Sequence, residues 1–274
     1  MAQKVAVVTG SNKGIGFAIV RALCKQYDGD VFLTSRDEGR GKAAVKELEK
    51  EGLHPKYFLL DINNRKNVEE LRDFLQKNYN GLDVLINNAG IAFRENSTVP
   101  FEDQAEVTLK TNYFDTLSVC EILFPILRPH ARVVNLTSMM SPITLARCSD
   151  ELKTRFTDPT ITMEGLSSIM KTFVQAARDK TLKKEGFPEM AYGVSKIGLT
   201  VMSLIQQKEL DQQGKEDVVV NVCNPGYVAT DMSNYKGPLT IDQGAEDPVY
   251  LALLPADVKS PRGQFVEARK ISKW

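Results

Sequence analysis

The chain has 274 residues, 42% of them hydrophobic, with 35 basic and 35 acidic side chains and a formal net charge of zero. That composition supports a sizeable core and gives no basic footprint for a nucleic acid or an anionic membrane surface. The apolar runs break within about ten residues, well short of a bilayer span. Cys24, Cys120, Cys148 and Cys223 are scattered without a Cys-x-x-Cys pair, as expected of reduced thiols in a cytoplasmic protein. His54 and His130 are too few for a histidine-based site, so no metal is expected.

Residues 4–9 form an apolar run without polar alternation, which predicts a strand buried on both faces of a parallel sheet. It starts almost at the first residue, leaving no room for a signal peptide. Thr9-Gly10-Ser11-Asn12-Lys13-Gly14-Ile15-Gly16 follows and opens a helix through Leu23. Glycines there let backbone N–H groups approach a pyrophosphate, and the helix N-terminus adds a favourable dipole. A ligand-free βα turn would also use these glycines. Asp30–Ser35 reads as the second strand and ends in Arg36. Dinucleotide folds place an acid here for a free ribose or an arginine for a 2′-phosphate. Ser35, Arg36 and Lys13 therefore favour NADP over NAD.

The alternation continues. Gly41–Gly52 reads as a helix and Lys56–Leu60 as a strand, with Asp61-Ile62 at its carboxyl end. Asp61 could bond an adenine amino group or cap the next helix. A helix through Val68, Leu71, Phe74 and Leu75 precedes the strand Leu82–Ile86, which ends in Asn87-Asn88-Ala89-Gly90, suited to a ribose or to a plain turn. The next helix carries Thr111-Asn112 in its first half and then Leu117, Val119, Ile122, Leu123 and Ile126; an asparagine inside a helix needs a partner for its amide. Ala131–Thr137 is the fifth strand, ending in Ser138.

Between Ser138 and Tyr192 lie 53 residues, too many for a turn. Ser149–Phe156 and Met163–Lys180 have helical periodicity, which predicts a helical insertion over about residues 142–188. Met190–Lys196 then sets Tyr192 and Lys196 four apart on one helix face. Alone, a Tyr-x-x-x-Lys pair is common. Val218–Val222 is the sixth strand, with Pro225, Gly226, Tyr227, Val228 and Thr230 just beyond its carboxyl end. A helix near Asp242–Leu253 and a short strand, Gly263–Val266, finish the pattern. The expected fold is α/β, a Rossmann-type doubly wound parallel sheet of about seven strands in a single domain over residues 1–274.

Taken together, Thr9-Gly10-x-x-x-Gly14-x-Gly16, Asn87-Asn88-Ala89-Gly90, Asn112, Ser138, Tyr192-x-x-x-Lys196 and Pro225-Gly226 make the chain resemble the short-chain dehydrogenase/reductase family over nearly its full length. Each piece is common; all six in order are specific. Within that family the insertion and the stretches Asn88-Ala89-Gly90-Ile91-Ala92-Phe93 and Val249-Tyr250-Leu251-Ala252-Leu253-Leu254-Pro255 resemble the monomeric NADPH-dependent carbonyl reductases. The resemblance implies a tetrad of Asn112, Ser138, Tyr192 and Lys196. It implies NADPH/NADP+ held along Gly10–Gly16, Arg36, Asp61, Ile62, Asn88–Gly90 and Pro225–Thr230, and a substrate cleft near Met139, Ile143 and Tyr227. It also implies binding of glutathione-like groups near Phe93, Arg94, Glu95 and Gln104. One departure is Asn224, where those reductases commonly carry a second cysteine.

The implied reaction is hydride transfer from NADPH to xenobiotic, steroid or prostaglandin-type ketones, aldehydes and quinones. Ser138 and Tyr192 would stabilise the oxygen, Tyr192 would deliver the proton, and Asn112 would fix a water. An ammonium about 5 Å from the phenol would lower its pKa by roughly two units at an effective dielectric of about 20. An oxidative NAD-dependent alcohol or steroid dehydrogenase and a catalytically idle NADPH sensor are the alternatives.

Overall fold

A computed structural model describes residues 3–94 and 96–274. Its centre is one eight-stranded sheet in the order β3-β2-β1-β4-β5-β6-β7-β8. The strands are β1 (Val5–Val8), β2 (Asp30–Ser35), β3 (Lys56–Leu59), β4 (Leu82–Asn87), β5 (Leu127–Leu136), β6 (Val219–Cys223), β7 (Phe265–Glu267) and β8 (Lys270–Ile271). All pair in parallel except the last two, which are antiparallel. The count exceeds the expected seven by β8, a two-residue strand too short and too exposed to leave a hydrophobic pattern. The strand order reverses between β1 and β4, and ligands of open α/β sheets bind beyond the carboxyl ends at such a point.

Both faces are covered, which is why the inner strands are apolar without alternation. On one face α1 (Gly14–Gln26), α2 (Glu38–Lys50) and α10 (Ile241–Ala252) pack Ile19, Leu23, Leu48 and Val249 against Val8, Leu33 and Ile86. On the other, α3 (Arg65–Tyr79) and α5 (Thr116–Leu123) cover Val7, Phe32, Leu85 and Val133. The amino end of α3 is capped by Asn64, whose side chain accepts from the Asn67 N–H, so that role does not fall to Asp61.

α9 (Ala191–Gln212) is buried on nearly every side between the sheet and the insertion. The insertion consists of α6 (Met140–Ala146), α7 (Asp150–Thr157) and α8 (Met163–Arg178). Sequence periodicity missed α6, because Pro142 reads as punctuation; at the third helical position its missing N–H has no intrahelical partner to lose. α8 lays Leu166, Ile169, Met170 and Phe173 onto α9 and onto α4 (Phe101–Leu109), with Phe173 meeting Phe101 and Phe187 edge-on. A π-helical turn, Lys110–Asp115, joins α4 to α5. Asn112 therefore lies just short of the middle of one continuous helical run over 101–126, in its first half as expected.

Far from the sheet's carboxyl edge, Asp217 binds the buried Arg132 at 2.9 Å and His130 at 2.9 Å, while Arg132 also donates to Leu254 and Pro255 carbonyls. This pins the amino ends of β5 and β6 to the segment after α10. His130, Asp217 and Asp257 bring three metal-type donors within 4.8 Å of one another. The guanidinium already on Asp217 opposes a cation there.

Candidate functional site

The turn after β1 is held from below. Ser11 Oγ donates to the Val8 carbonyl at 2.8 Å and accepts from the Thr34 N–H at 2.9 Å. Asn88 Nδ2 donates to the Thr9 and Gly10 carbonyls at 2.9 and 3.0 Å, and Thr9 Oγ1 accepts from the Asn88 and Ala89 N–H groups. Asn88 thus commits the donor end of its amide to the glycine turn. A Cβ at Gly16 would lie 2.5 Å from Asn88 Nδ2 and 2.9 Å from the Gly10 carbonyl, so only glycine fits. Gly14 has φ +58, a left-handed value that glycine tolerates best.

Above this turn runs a groove of about 610 Å³ between the carboxyl ends of β1–β3 and those of β4–β6. It is lined by Gly10, Asn12, Lys13, Gly14, Ile15, Gly16, Arg36, Asp61, Ile62, Asn88, Ala89, Gly90, Tyr192, Lys196, Pro225 and Thr230, which brings most of the expected cofactor residues together. Leu60, Asn63, Thr111, Met232 and Tyr235 also line it and were not foreseen, since they stand on turns and helix faces without a motif. A dinucleotide fits the donor set. No side chain caps the N-terminus of α1 and its first turn carries no acid, leaving N–H groups for a phosphate. Arg36 is exposed and, among the described residues, in no ion pair.

Several expected residues sit differently. Ser35 is buried and donates to the Asp37 carbonyl at 2.7 Å, and Val228 packs in the core against Gly244; neither lines the groove, nor does Gly226. Strand alternation turns Ser35 away from the edge that Arg36 faces. Lys13 is paired with Asp231 at 2.5 Å, and Asp231 also accepts from Tyr235 Oη, so Lys13 is not a free second cation. Phe93 and Gln104 do not line the groove; Gln104, on the first turn of α4, donates to the Val99 carbonyl just ahead of that helix at 2.7 Å. Glu95 lies outside the described residues. A second depression, about 710 Å³ at the amino ends of β2 and β3, is wide open, and its Asp30, Lys56 and Tyr79 satisfy one another.

At the inner end of the groove stand Tyr192 and Lys196, with Ser138 near enough to act on the Tyr192 phenol; neither Ser138 nor Asn112 lines the groove itself. Asn112 Oδ1 accepts from the Ile91 N–H at 2.8 Å, while Nδ2 donates to the Ile91 carbonyl at 2.9 Å and to Ser195 Oγ at 3.0 Å. Ser195 Oγ donates in turn to the Tyr192 carbonyl at 2.7 Å. This network supplies the partner that a mid-helix asparagine needs, and the π-turn presents it. Tyr192 and Lys196 share a face as their spacing requires, with Nζ 5.5 Å from the ring centre. Lys196 is 6% exposed and donates to the Leu136 carbonyl at 2.8 Å; burial lowers its pKa to about 8. Burial raises the Tyr192 phenol, and the Ser138 hydroxyl acts in the opposite direction. The net direction for Tyr192 is upward, opposite to the lowering expected from Lys196, which is not among the causes of the shift. Met139, beside Ser138, Ile143 on α6 and Tyr227, beside Gly226, are exposed, and none of the three lines the groove.

The short chain dehydrogenase family profile matches residues 4–149. Carbonyl reductase [NADPH] 3 of Rattus norvegicus is 52% identical over 99% of this chain and 98% of its own length. Carbonyl reductase [NADPH] 1 of Homo sapiens is 51% identical over 98% of each. The structure of salutaridine reductase from Papaver somniferum superposes with a TM-score of 0.85 at 28% identity, covering 96% of this chain and 99% of that one. By sequence, fold and site, the chain belongs to the short-chain dehydrogenase family.

Proposed function

We propose that the chain is an NADPH-dependent carbonyl reductase acting on ketones, aldehydes and quinones. One juxtaposition carries the reading: a phenol, a serine hydroxyl and a buried ammonium at the inner end of a dinucleotide-sized groove. Two relatives of half-identical sequence carry that activity in their names. The first turn of α1 takes the pyrophosphate, Arg36 the 2′-phosphate, Asp61 and Ile62 the adenine, Lys196 a ribose, and the Pro225–Thr230 segment the carboxamide. When bound, NADPH supplies the hydride.

As a carbonyl carbon is reduced, its oxygen gains negative charge that must be stabilised and protonated. Ser138 and Tyr192 donate hydrogen bonds to that oxygen, and Tyr192 gives up its proton. A phenol raised by burial holds that proton at neutral pH, which suits reduction better than oxidation. With a pKa of about 8, Lys196 is mostly cationic at pH 7 and stabilises the phenolate left behind. Asn112 holds the water that returns a proton, through the second lone pair of Oδ1. The exposed apolar side chains of Met139, Ile143 and Tyr227, on the segments next to Ser138 and Gly226, suit bulky xenobiotic, steroid or prostaglandin-type carbonyls. We take the chain to act as a cytoplasmic monomer, because α8 covers the α4 and α9 faces through which a partner would dock.

The test is oxidation of NADPH, and of NADH in parallel, with menadione and an aromatic ketone, for wild type and Tyr192→Phe. NADPH should be preferred and the variant should lose roughly a hundredfold or more in turnover, the usual worth of a positioned acid. Binding of NADPH without turnover by the wild type, or an active Tyr192→Phe, refutes the reading.

A further inference from the structure

Asn224 stands directly beyond β6 and is 3% exposed, yet no expected role falls on it. Its side-chain oxygen accepts from two backbone N–H groups, Met139 at 3.2 Å and Gly226 at 3.1 Å. Its Nδ2 donates to Glu267 Oε1 at 2.7 Å, and its own N–H donates to the Val266 carbonyl at 3.0 Å. One buried amide therefore joins three segments: the one that carries Ser138, the Pro225–Gly226 wall, and the end of β7. The Ser138 hydroxyl is itself set by this backbone, since Oγ accepts from the Met140 N–H at 3.2 Å.

We propose that Asn224 is a positioning residue that locks the Ser138–Met139 segment to the Pro225–Gly226 wall and thereby decides which face of a ketone meets the reacting centre. The inference rests on the carbonyl-reductase reading above. This set of two accepted bonds and one donated bond requires an amide. Both lone pairs of Oδ1 are used by N–H donors, while Nδ2 must face a carboxylate. An aspartate would keep the acceptor but set a second carboxylate against Glu267 without a donor. A thiol offers only a weak acceptor and a weak donor. A misplacement of about 1 Å at such a wall costs on the order of a hundredfold in rate, so a single anchor of this kind is sufficient to govern turnover.

The test uses a prochiral aromatic ketone with NADPH and reads kcat per bound NADPH, the enantiomer ratio of the alcohol, and exchange of the Met139 and Gly226 amides. Asn224→Ala should lower kcat roughly tenfold, move the enantiomer ratio towards equality and speed both amides. Asn224→Asp should be worse, and Asn224→Asp with Glu267→Gln should recover most of the loss, because the new amide at 267 donates where Asn224 once did. Glu267→Ala removes only the outer acceptor on a half-buried side chain. It should shift the same three readouts by about threefold less than Asn224→Ala, even where the aspartate variant fails to fold. A merely structural role lowers the active fraction and the melting temperature but leaves kcat per bound NADPH and the enantiomer ratio unchanged; that result overturns the proposal. So does a double variant no better than Asn224→Asp. If wild type turns over no ketone, the function reading fails, and the positioning claim is then decided by amide exchange alone, unchanged rates refuting it.

Discussion

Lys196→Met separates what this lysine does for chemistry from what it does to the fold. The ammonium is buried, bonds only the Leu136 carbonyl among the described residues, and has its pKa lowered from 10.5 to about 8 by desolvation. A folded-state pKa below the unfolded value means that folding disfavours the proton. Below pH 8 both states are protonated and the full penalty applies; between about 8 and 10.5 the folded state sheds its proton first and the penalty shrinks; above that it is gone. The fall from 10.5 to about 8 corresponds to about 3 kcal/mol. Leaving the Leu136 carbonyl without a donor returns roughly 2 kcal/mol of that. The methionine variant should therefore be more stable than wild type by about 1 kcal/mol at pH 7, or about 2 °C in Tm for a chain of this size. The gap should change by about 1.4 kcal/mol for each pH unit above 8, in favour of wild type. Urea unfolding of both proteins at pH 6.5, 8 and 9.5 measures this, beside a turnover assay that should show no activity in the variant. A variant less stable at pH 7, or a stability difference that does not move with pH, refutes the reasoning.

Two further outcomes follow from the same geometry. For Asp217, burial raises the pKa, but bonds from His130, the Asp257 N–H and Arg132 outweigh it and hold it at about 2. Its contribution is complete above the ordinary value of 3.8 and is lost as pH falls towards 2, so wild type should lose stability over that interval. Asp217→Asn leaves Arg132 buried without its anion and should cost about 3 kcal/mol at pH 7; a variant with unchanged urea midpoint at pH 7 and an unchanged acid-unfolding curve speaks against the pair. The α8 cover over α4 and α9 predicts elution at the mass of one chain, and a tetramer mass would remove that argument.

Much of this was written locally. The runs at Val5–Val8, Asp30–Ser35 and Leu82–Asn87 could only be strands buried on both faces, because they carry no polar alternation. The glycines at 10, 14 and 16 announce a turn whose backbone must pass close to something, and helical spacing alone stacks Tyr192 on Lys196. Where the signal depended on a partner distant in sequence, it was lost. The amide of Asn88 reaches back 78 and 79 residues to the Gly10 and Thr9 carbonyls, and Lys13 finds Asp231 across 218 residues. α6 and β8 were missed for lack of pattern: one is seven residues with an internal proline, the other two exposed residues.

Sequence by itself determined the fold class, the groove's glycine floor and the stacking of Tyr192 on Lys196, since each depends on residue type and short-range spacing. Only the tertiary structure decided their state. Burial, which no local window records, raises Tyr192 and lowers Lys196. The same packing turns Ser35 and Val228 away from the groove, engages Lys13, and gives Asn224 its three partners, because charge and hydrogen-bonding environment are set by whichever elements the sheet order brings side by side.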